Sequence, residues 1–177
     1  MTTIEIIVLG TPAPQGSKRG FAVKAKGAYT GKVAQVESSA KVKPWRQDVK
    51  YAAMNAMADE RLWRSLDAPI GVKPWTPMTG AVVLEVKFRL PRPKGHYGTG
   101  RKAGLLKPTA PFHPNGRPDL DKLLRSTFDA LGEAGVWGDD AQVVKVYGSK
   151  EYATDYAPTG ATIRVKSVRN EVERAVA

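Results

Sequence analysis

Six carboxylates fall between residues 119 and 140 of this chain: Asp119, Asp121, Asp129, Glu133, Asp139 and Asp140. Within RPDLDKLLRSTFDALGEAGVWGDD, Arg117 to Asp140, only Lys122 and Arg125 oppose them after Arg117. The chain has no cysteine and only His96 and His113, so a thiolate zinc site is excluded and a multi-histidine one is not expected. A set of hard oxygen donors suits Mg2+ or Mn2+ instead. Pro118 keeps Arg117 extended. If the backbone stays extended through Asp121, Asp119 and Asp121 project to one side while Leu120 turns inward. Both then lie at the N-terminus of the next helix, where the macrodipole tolerates negative charge. An antiparallel or mixed sheet could bring the glycine turn before Asp139 and Asp140 beside that helix start. Carboxylates gathered in this way repel one another, which raises their pKa unless a cation neutralises them. A cation there would activate a water and stabilise charge on a phosphorane.

Simpler readings compete. Aspartate before a helix is a common N-cap, Gly-Asp-Asp is a common turn, and Asp121 with Arg125 is an ordinary i,i+4 pair. Capping accounts for one of Asp119 and Asp121, not for both.

The acids are conspicuous because the chain is otherwise basic. Its 177 residues carry 28 Lys/Arg against 17 Asp/Glu. Residues 1–118 hold 20 Lys/Arg against 7 Asp/Glu, residues 119–140 hold 2 against 6, and residues 141–177 hold 6 against 4. Positive excess on this scale points to a polyanion, nucleic acid first. The longest apolar stretch, IIVLG, is far too short to span a bilayer, so no membrane partner is expected. Met1 to Gly10 lacks a charged leader with a long apolar core, so no secretory signal is expected, and the absence of cysteine suits a reducing cytoplasm.

These residues need elements to position them. The length suggests one domain with a real core. β-Branched alternation predicts a strand over residues 3–9. Residues 10–43 read as loop, with a short hairpin around Phe21–Tyr29. A helix runs from Pro44 to about Leu66, with Trp45, Val49, Ala53, Ala56 and Met57 on one stripe. GAVVLEVKFRL is the clearest strand, with Val82, Leu84, Val86, Phe88 and Leu90 on one face. Residues 91–118 form a long basic Gly/Pro-rich loop, functional or disordered. A short helix covers Lys122 to Leu131, with Leu120, Leu124, Phe128 and Leu131 on a stripe, ended by Gly132 or Gly135. Gln142–Tyr152 and Ala161–Val168 read as two strands joined in a hairpin by TDYAPTG, and RNEVERAVA as a final helical turn. The four tryptophans, Trp45, Trp63, Trp75 and Trp137, read as packing residues rather than base-stacking platforms. GTPAPQGSKRG lacks the order and spacing of a phosphate loop. GTGRKA follows no strand and Pro108 blocks a useful helix after it, so neither glycine motif is retained.

The acidic block resembles the signature of the RusA family of Holliday-junction resolvases. That signature runs Lys/Arg-Pro-Asp-x-Asp-Asn, then Asp-Ala-Leu in a short helix, then Asp-Asp-x-Gln-Val. Its counterparts here are Arg117-Pro118-Asp119-Leu120-Asp121-Lys122, Asp129-Ala130-Leu131 and Asp139-Asp140-Ala141-Gln142-Val143. The resemblance implies a homodimer that cuts four-way DNA junctions with Mg2+, in DNA recombination and repair. It implies that Asp119, Asp121 and Asp140 are the metal-binding catalytic carboxylates, with Asp139 adjacent. Two positions depart from the pattern. Lys122 stands where the family often has Asn, and Arg125 where it commonly has a catalytic Lys. Arginine stays protonated and cannot act as a base, so its role must be electrostatic.

The resulting expectation is a single α+β domain over residues 1–177, with a mixed sheet covered by helices, assembled as a homodimer that presents two identical sites to a two-fold related substrate. The basic segments 17–43 and 91–107 would hold backbone phosphates, with Lys18, Arg19, Lys94, Arg101, Lys102 and Lys122 as contacts. The rival is a non-catalytic DNA- or RNA-binding protein. It explains the charge equally well but not Asp119, Asp121 and Asp140 as a set.

Overall fold

Alternation in TIEIIVL makes β1 (Thr3–Leu9), whose Ile4, Ile6 and Val8 are buried while the residues between them face solvent. The structure, a computed structural model of the chain, describes residues 2–16, 19–25, 27–36, 39–66 and 75–168. β2 (Arg19–Ala25) and β3 (Ala28–Val36) follow as a separate antiparallel ribbon, the expected hairpin, with a register shift between Ala22 and Lys24. Helix α1 (Val42–Leu66) begins two residues before Pro44, which sits in its first turn, where a missing N–H leaves no bond unmade. Trp45, Val49, Ala53 and Met57 bury the predicted stripe, with Ala56 partly buried against the same core.

β4 (Val82–Leu90) buries Val82, Leu84, Val86, Phe88 and Leu90, as its alternation predicts. It leads through the long loop to α2 (Leu120–Ala134), then to β5 (Val143–Tyr152) and β6 (Gly160–Ser167). The main sheet has the order β1-β6-β4-β5. β6 is antiparallel to both β1 and β4, and β5 is parallel to β4, so the sheet is mixed. α1 packs over β1 and against α2, and α2 reaches β5. The chain is therefore one α+β domain of a four-stranded mixed sheet and two helices.

The connections correct the sequence reading in three places. β5 and β6 are not a hairpin. The β4–α2–β5 crossover lays β5 parallel along one side of β4, and β6 pairs on the other, so the two strands never touch. The loop over residues 91–118 is not featureless. It contains 3-10 turns at Lys94–His96 and Gly100–Lys102, bridged by Tyr97 to Leu106 and Gly98 to Ala103. Arg92 fastens it, with its guanidinium 3.9 Å from the Tyr152 ring centroid and Nη1 donating to the Pro111 carbonyl at 3.0 Å. In α2, Leu131 is fully buried but Leu120, Leu124 and Phe128 only partly, and the helix turns Leu123, Ser126, Thr127 and Ala130 inward as well. α2 packs on α1 as well as on the sheet, so its buried face is wider than one stripe. Trp45 and Trp137 are core residues, and Trp75 packs against the core with Nε1 donating to the Gly135 carbonyl. The side chain of Trp63 and the segment RNEVERAVA lie outside the described residues.

The outer face of the sheet carries ion pairs instead of a second helical layer among the described residues. Glu5 pairs with Arg164, Arg164 with Glu85 at 3.5 Å, and Lys166 with Glu85 at 2.7 Å. At the end of the β1–β6 pair, Gly160 has φ of 152°, and a Cβ there would lie 1.9 Å from the Val8 carbonyl oxygen. Gly160→Ala is expected to destabilise the fold by roughly 2–5 kcal/mol through strain and overpacking. Urea unfolding measures this directly, and an unchanged midpoint would mean that the strand ends separate without loss.

Candidate active site

Helix α2, with its N-cap, carries four of the six acids, Asp119, Asp121, Asp129 and Glu133. Asp119 is its N-cap residue, extended at φ −70° and ψ 139°, but its carboxylate caps no backbone N–H. It pairs with Lys122 Nζ at 2.6 Å. Asp121 lies in the first turn, exposed, and Arg125 follows one turn later, also exposed. Because the helix begins at Leu120, the extended run expected through Asp121 is absent, and strand alternation does not aim the two carboxylates together. They lie instead two residues apart at the start of one helix.

The cations around Asp119 also reverse an expectation. The Lys122 hydrogen bond, then its charge, then Arg117 and Lys150 hold the Asp119 carboxyl below the usual carboxylate range, where mutual repulsion would have raised it. Asp119 therefore stays ionised at neutral pH. Its small contribution to stability is present above the unfolded value of about 3.9 and is lost as pH falls through the lower folded value.

Farther along the helix, Asp129 accepts from Gln15 Nε2 at 2.8 Å and lies 3.5 Å from Arg46, which also pairs with Glu133. These two acids tie α2 to α1 and to the segment after β1. They are structural, and they leave Arg125 without Asp129 as a partner. Neither Arg125 nor Asp121 forms an ion pair within 4.0 Å among the described residues, so the simple i,i+4 pairing does not occur.

Gly135, with φ of 78° and ψ of 30°, ends α2 in the left-handed conformation that favours glycine. The chain then buries Val136 and Trp137. Asp139 caps a 3-10 turn, Asp140–Gln142, its carboxylate accepting from the Ala141 N–H at 2.7 Å. Gln142 completes the box by accepting from the Gly138 and Asp139 N–H groups, and its Nε2 donates to the Met78 and Gly80 carbonyls. Asp139 thus has a capping duty of its own. Asp140 accepts from Trp137 Nε1 at 2.8 Å, and its carboxylate lies against Gly132.

That location separates it from its expected companions. Gly132 is on the last turns of the helix that Asp119 begins, about 20 Å away along the axis at 1.5 Å per residue. The turn at Asp139 and Asp140 therefore lies beside the end of α2, not its start, because β5 must begin where the crossover returns to the first residues of β4. Among the described residues no group of three or more His, Cys, Asp or Glu side chains could hold a metal ion. The described residues of one chain do not fit a three-carboxylate cation site. Asp140 instead places negative charge at the negative end of the α2 dipole, an unfavourable arrangement unless a cation joins it.

The start of α2 is strongly basic. Arg117, Lys122 and Lys150 act on Asp119, and Arg125 stands one turn beyond Asp121. Lys150 was invisible in the sequence because it comes from the far end of β5, a strand that follows the block. Its Nζ donates to the Gly116 carbonyl at 2.7 Å and the Pro118 carbonyl at 2.9 Å. Of the expected DNA contacts, Lys94, Arg101 and Lys102 are exposed on the two 3-10 turns, and Lys122 is committed to Asp119. Lys18 and the side chain of Arg19 lie outside the described residues. His113 is an exposed loop residue packed edge-on against Phe112. No helix among the described residues is long and apolar enough to cross a membrane.

Comparison with known proteins extends the likeness far beyond the acidic block. The sequence model of the family described as endodeoxyribonuclease RusA matches residues 12–166. A Bacillus subtilis (strain 168) protein named "Uncharacterized protein YqaN" is 31% identical over 160 residues, covering 88% of this chain and 92% of that one. The match takes in β2 to β6 and both helices, not only the segment that holds the aspartates, and the chain belongs to the RusA endodeoxyribonuclease family.

Proposed function

We propose that this chain is a structure-selective endodeoxyribonuclease that resolves four-way DNA junctions by paired nicks, and that its cation site is completed only in a dimer. The observation that carries the reading is the division of the aspartates between the two ends of α2. A two-fold axis beside β5 would run two copies of that edge strand antiparallel. The start of each β5, three residues after Asp140, would then lie beside the end of its mate, where Lys150 marks the start of α2. Asp119 and Asp121 would face Asp140 of the partner subunit. That composite set would take Mg2+ or Mn2+.

Edge strand β5 supports this arrangement. Among the described residues it pairs only with β4, and it exposes Val144 at 64% and Val146 at 39%. Apolar side chains on an open edge favour pairing with another strand. A C2 dimer also matches the substrate, since it offers two identical sites to the two-fold related strands of a junction. The basic start of α2, with Arg117, Lys122 and Arg125 near two carboxylates, suits a phosphodiester better than a neutral ligand. A protein that only bound nucleic acid would gain nothing from an aspartate held by Trp137 at the wrong end of a helix dipole.

The test is a labelled four-way junction incubated with protein and Mg2+. The expected result is paired, symmetric nicks, with none when Mg2+ is withheld. Binding should weaken steeply with salt through counterion release, yet linear duplex should compete poorly at moderate salt, because charge alone does not select a junction. Equal affinity for junction and duplex across the titration, without cutting, would establish the plain nucleic-acid binder.

A further inference from the structure

We infer that Lys150 is a positioning residue for the reaction, acting by fixing the backbone from which Asp119 projects; the inference rests on the nuclease reading above. The segment from Pro108 to Pro118 contains no helix or strand, so nothing within it fixes where α2 begins. Two contacts from outside it do: the Gln15 N–H donates to the Lys122 carbonyl in the first turn of α2, and Lys150 reaches the segment itself from the sheet. Lys150, near the end of β5, sends its ammonium to two carbonyls of that segment, Gly116 and Pro118, and the second belongs to the residue directly before Asp119. The ammonium also lowers the energy of the ionised Asp119 carboxylate.

Charge alone would not place a lysine here. The start of a helix is the positive end of its dipole and repels a cation, and Arg117 and Lys122 already lie close. A partly buried lysine in such a field is held by what it bonds. Two charge-assisted hydrogen bonds to carbonyls are each about twice as strong as neutral ones, and they use two of the three ammonium protons. The strand beneath is rigid, paired to β4 from Val143 to Tyr152. Room for the helix start above it comes from Gly148, whose missing side chain is replaced by Leu120 and Leu124. Lys150 thus carries the position of the sheet to Asp119, and through α2 to Asp121 and Arg125. A displacement of about 1 Å at reacting groups lowers rates about 100-fold.

The experiment compares wild type, Lys150→Met and Lys150→Arg as full-length protein, with junction affinity, single-turnover cleavage in Mg2+, and hydrogen exchange over residues 114–121. Lys150→Met is expected to keep junction affinity within about threefold, to cut the single-turnover rate about 100-fold, and to speed exchange in that segment alone. Lys150→Arg should recover at least about a tenth of the wild-type rate, since a guanidinium also donates to two carbonyls. A wild-type rate in Lys150→Met would overturn the positioning role while leaving the nuclease reading intact. So would a loss of rate matched by faster exchange throughout the protein, because that is general destabilisation. If wild type itself makes no cut under any divalent cation, the nuclease reading fails and the positioning role falls with it.

Discussion

Mixing Asp121→Asn protein with Asp140→Asn protein is expected to restore nicking that neither variant performs alone. Each substitution keeps side-chain shape while removing charge, so each homodimer should bind junctions as well as wild type, or more tightly, and cut nothing. Asp119→Asn should behave in the same way. In a heterodimer with composite sites, one site receives both substitutions and the other receives neither. When subunits exchange freely, half the dimers are mixed and each has one intact site, so nicking should return to about a quarter of the wild-type level. The recovered product should be a single nick, without the symmetric second cut. A control lies in the same helix start. Asp119→Asn mixed with Asp121→Asn should recover nothing, since both residues belong to the same half of a composite site and every site then carries one substitution. No recovery from the first mixture, with exchange verified by a mass-tagged subunit, would show that the aspartates do not work across a subunit boundary. The separation of Asp140 from Asp119 along α2 would then require a rearrangement within one chain.

Arg125→Ala is expected to lower the single-turnover cleavage rate by about 100- to 1,000-fold, the usual loss when one preorganised charge contact to a developing anion is removed. Arg125 is exposed on α2, one turn beyond Asp121, and makes no ion pair among the described residues. Asp129, its nearest alternative partner in sequence, is occupied by Arg46 and Gln15. A guanidinium kept free of carboxylates beside a phosphate site can give two parallel hydrogen bonds to phosphate oxygens. Its charge does not change over working pH, so it stabilises the transition state without moving a proton. Alanine is the best helix former, so the substitution should leave the fold intact. Arg125→Lys should recover much of the rate, because a point charge supplies most of the attraction. A rate for Arg125→Ala within a factor of about two of wild type would remove the residue from catalysis.

Local pattern carried a large part of this protein. The alternation of β1 and β4, the helical spacing from Trp45 to Met57 and the glycine end of α2 all lie within a few residues of sequence, and short-range geometry determines them. The residue types of the acidic block are equally legible, and two aspartate pairs in a basic, cysteine-free chain raise the expectation of an oxygen-ligated cation and a polyanion. The mixed sheet was read correctly, but two expectations about which strand or turn lies beside which were not met. TDYAPTG has the composition of a hairpin turn, yet β5 and β6 are kept apart by β4. The turn with Asp139 and Asp140 precedes a strand, and an antiparallel or mixed sheet could have set it beside Asp119. A parallel crossover must instead run back along the helix, and it leaves that turn at the opposite end. Lys150 shows the converse case, a residue remote in sequence that the parallel pairing of β4 and β5 brings under the start of α2. Residue types and short spacings determine what chemistry is available. Strand order determines which of those residues can meet, because hydrogen-bonded neighbours in a sheet are chosen by the packing of the whole core rather than by any one segment.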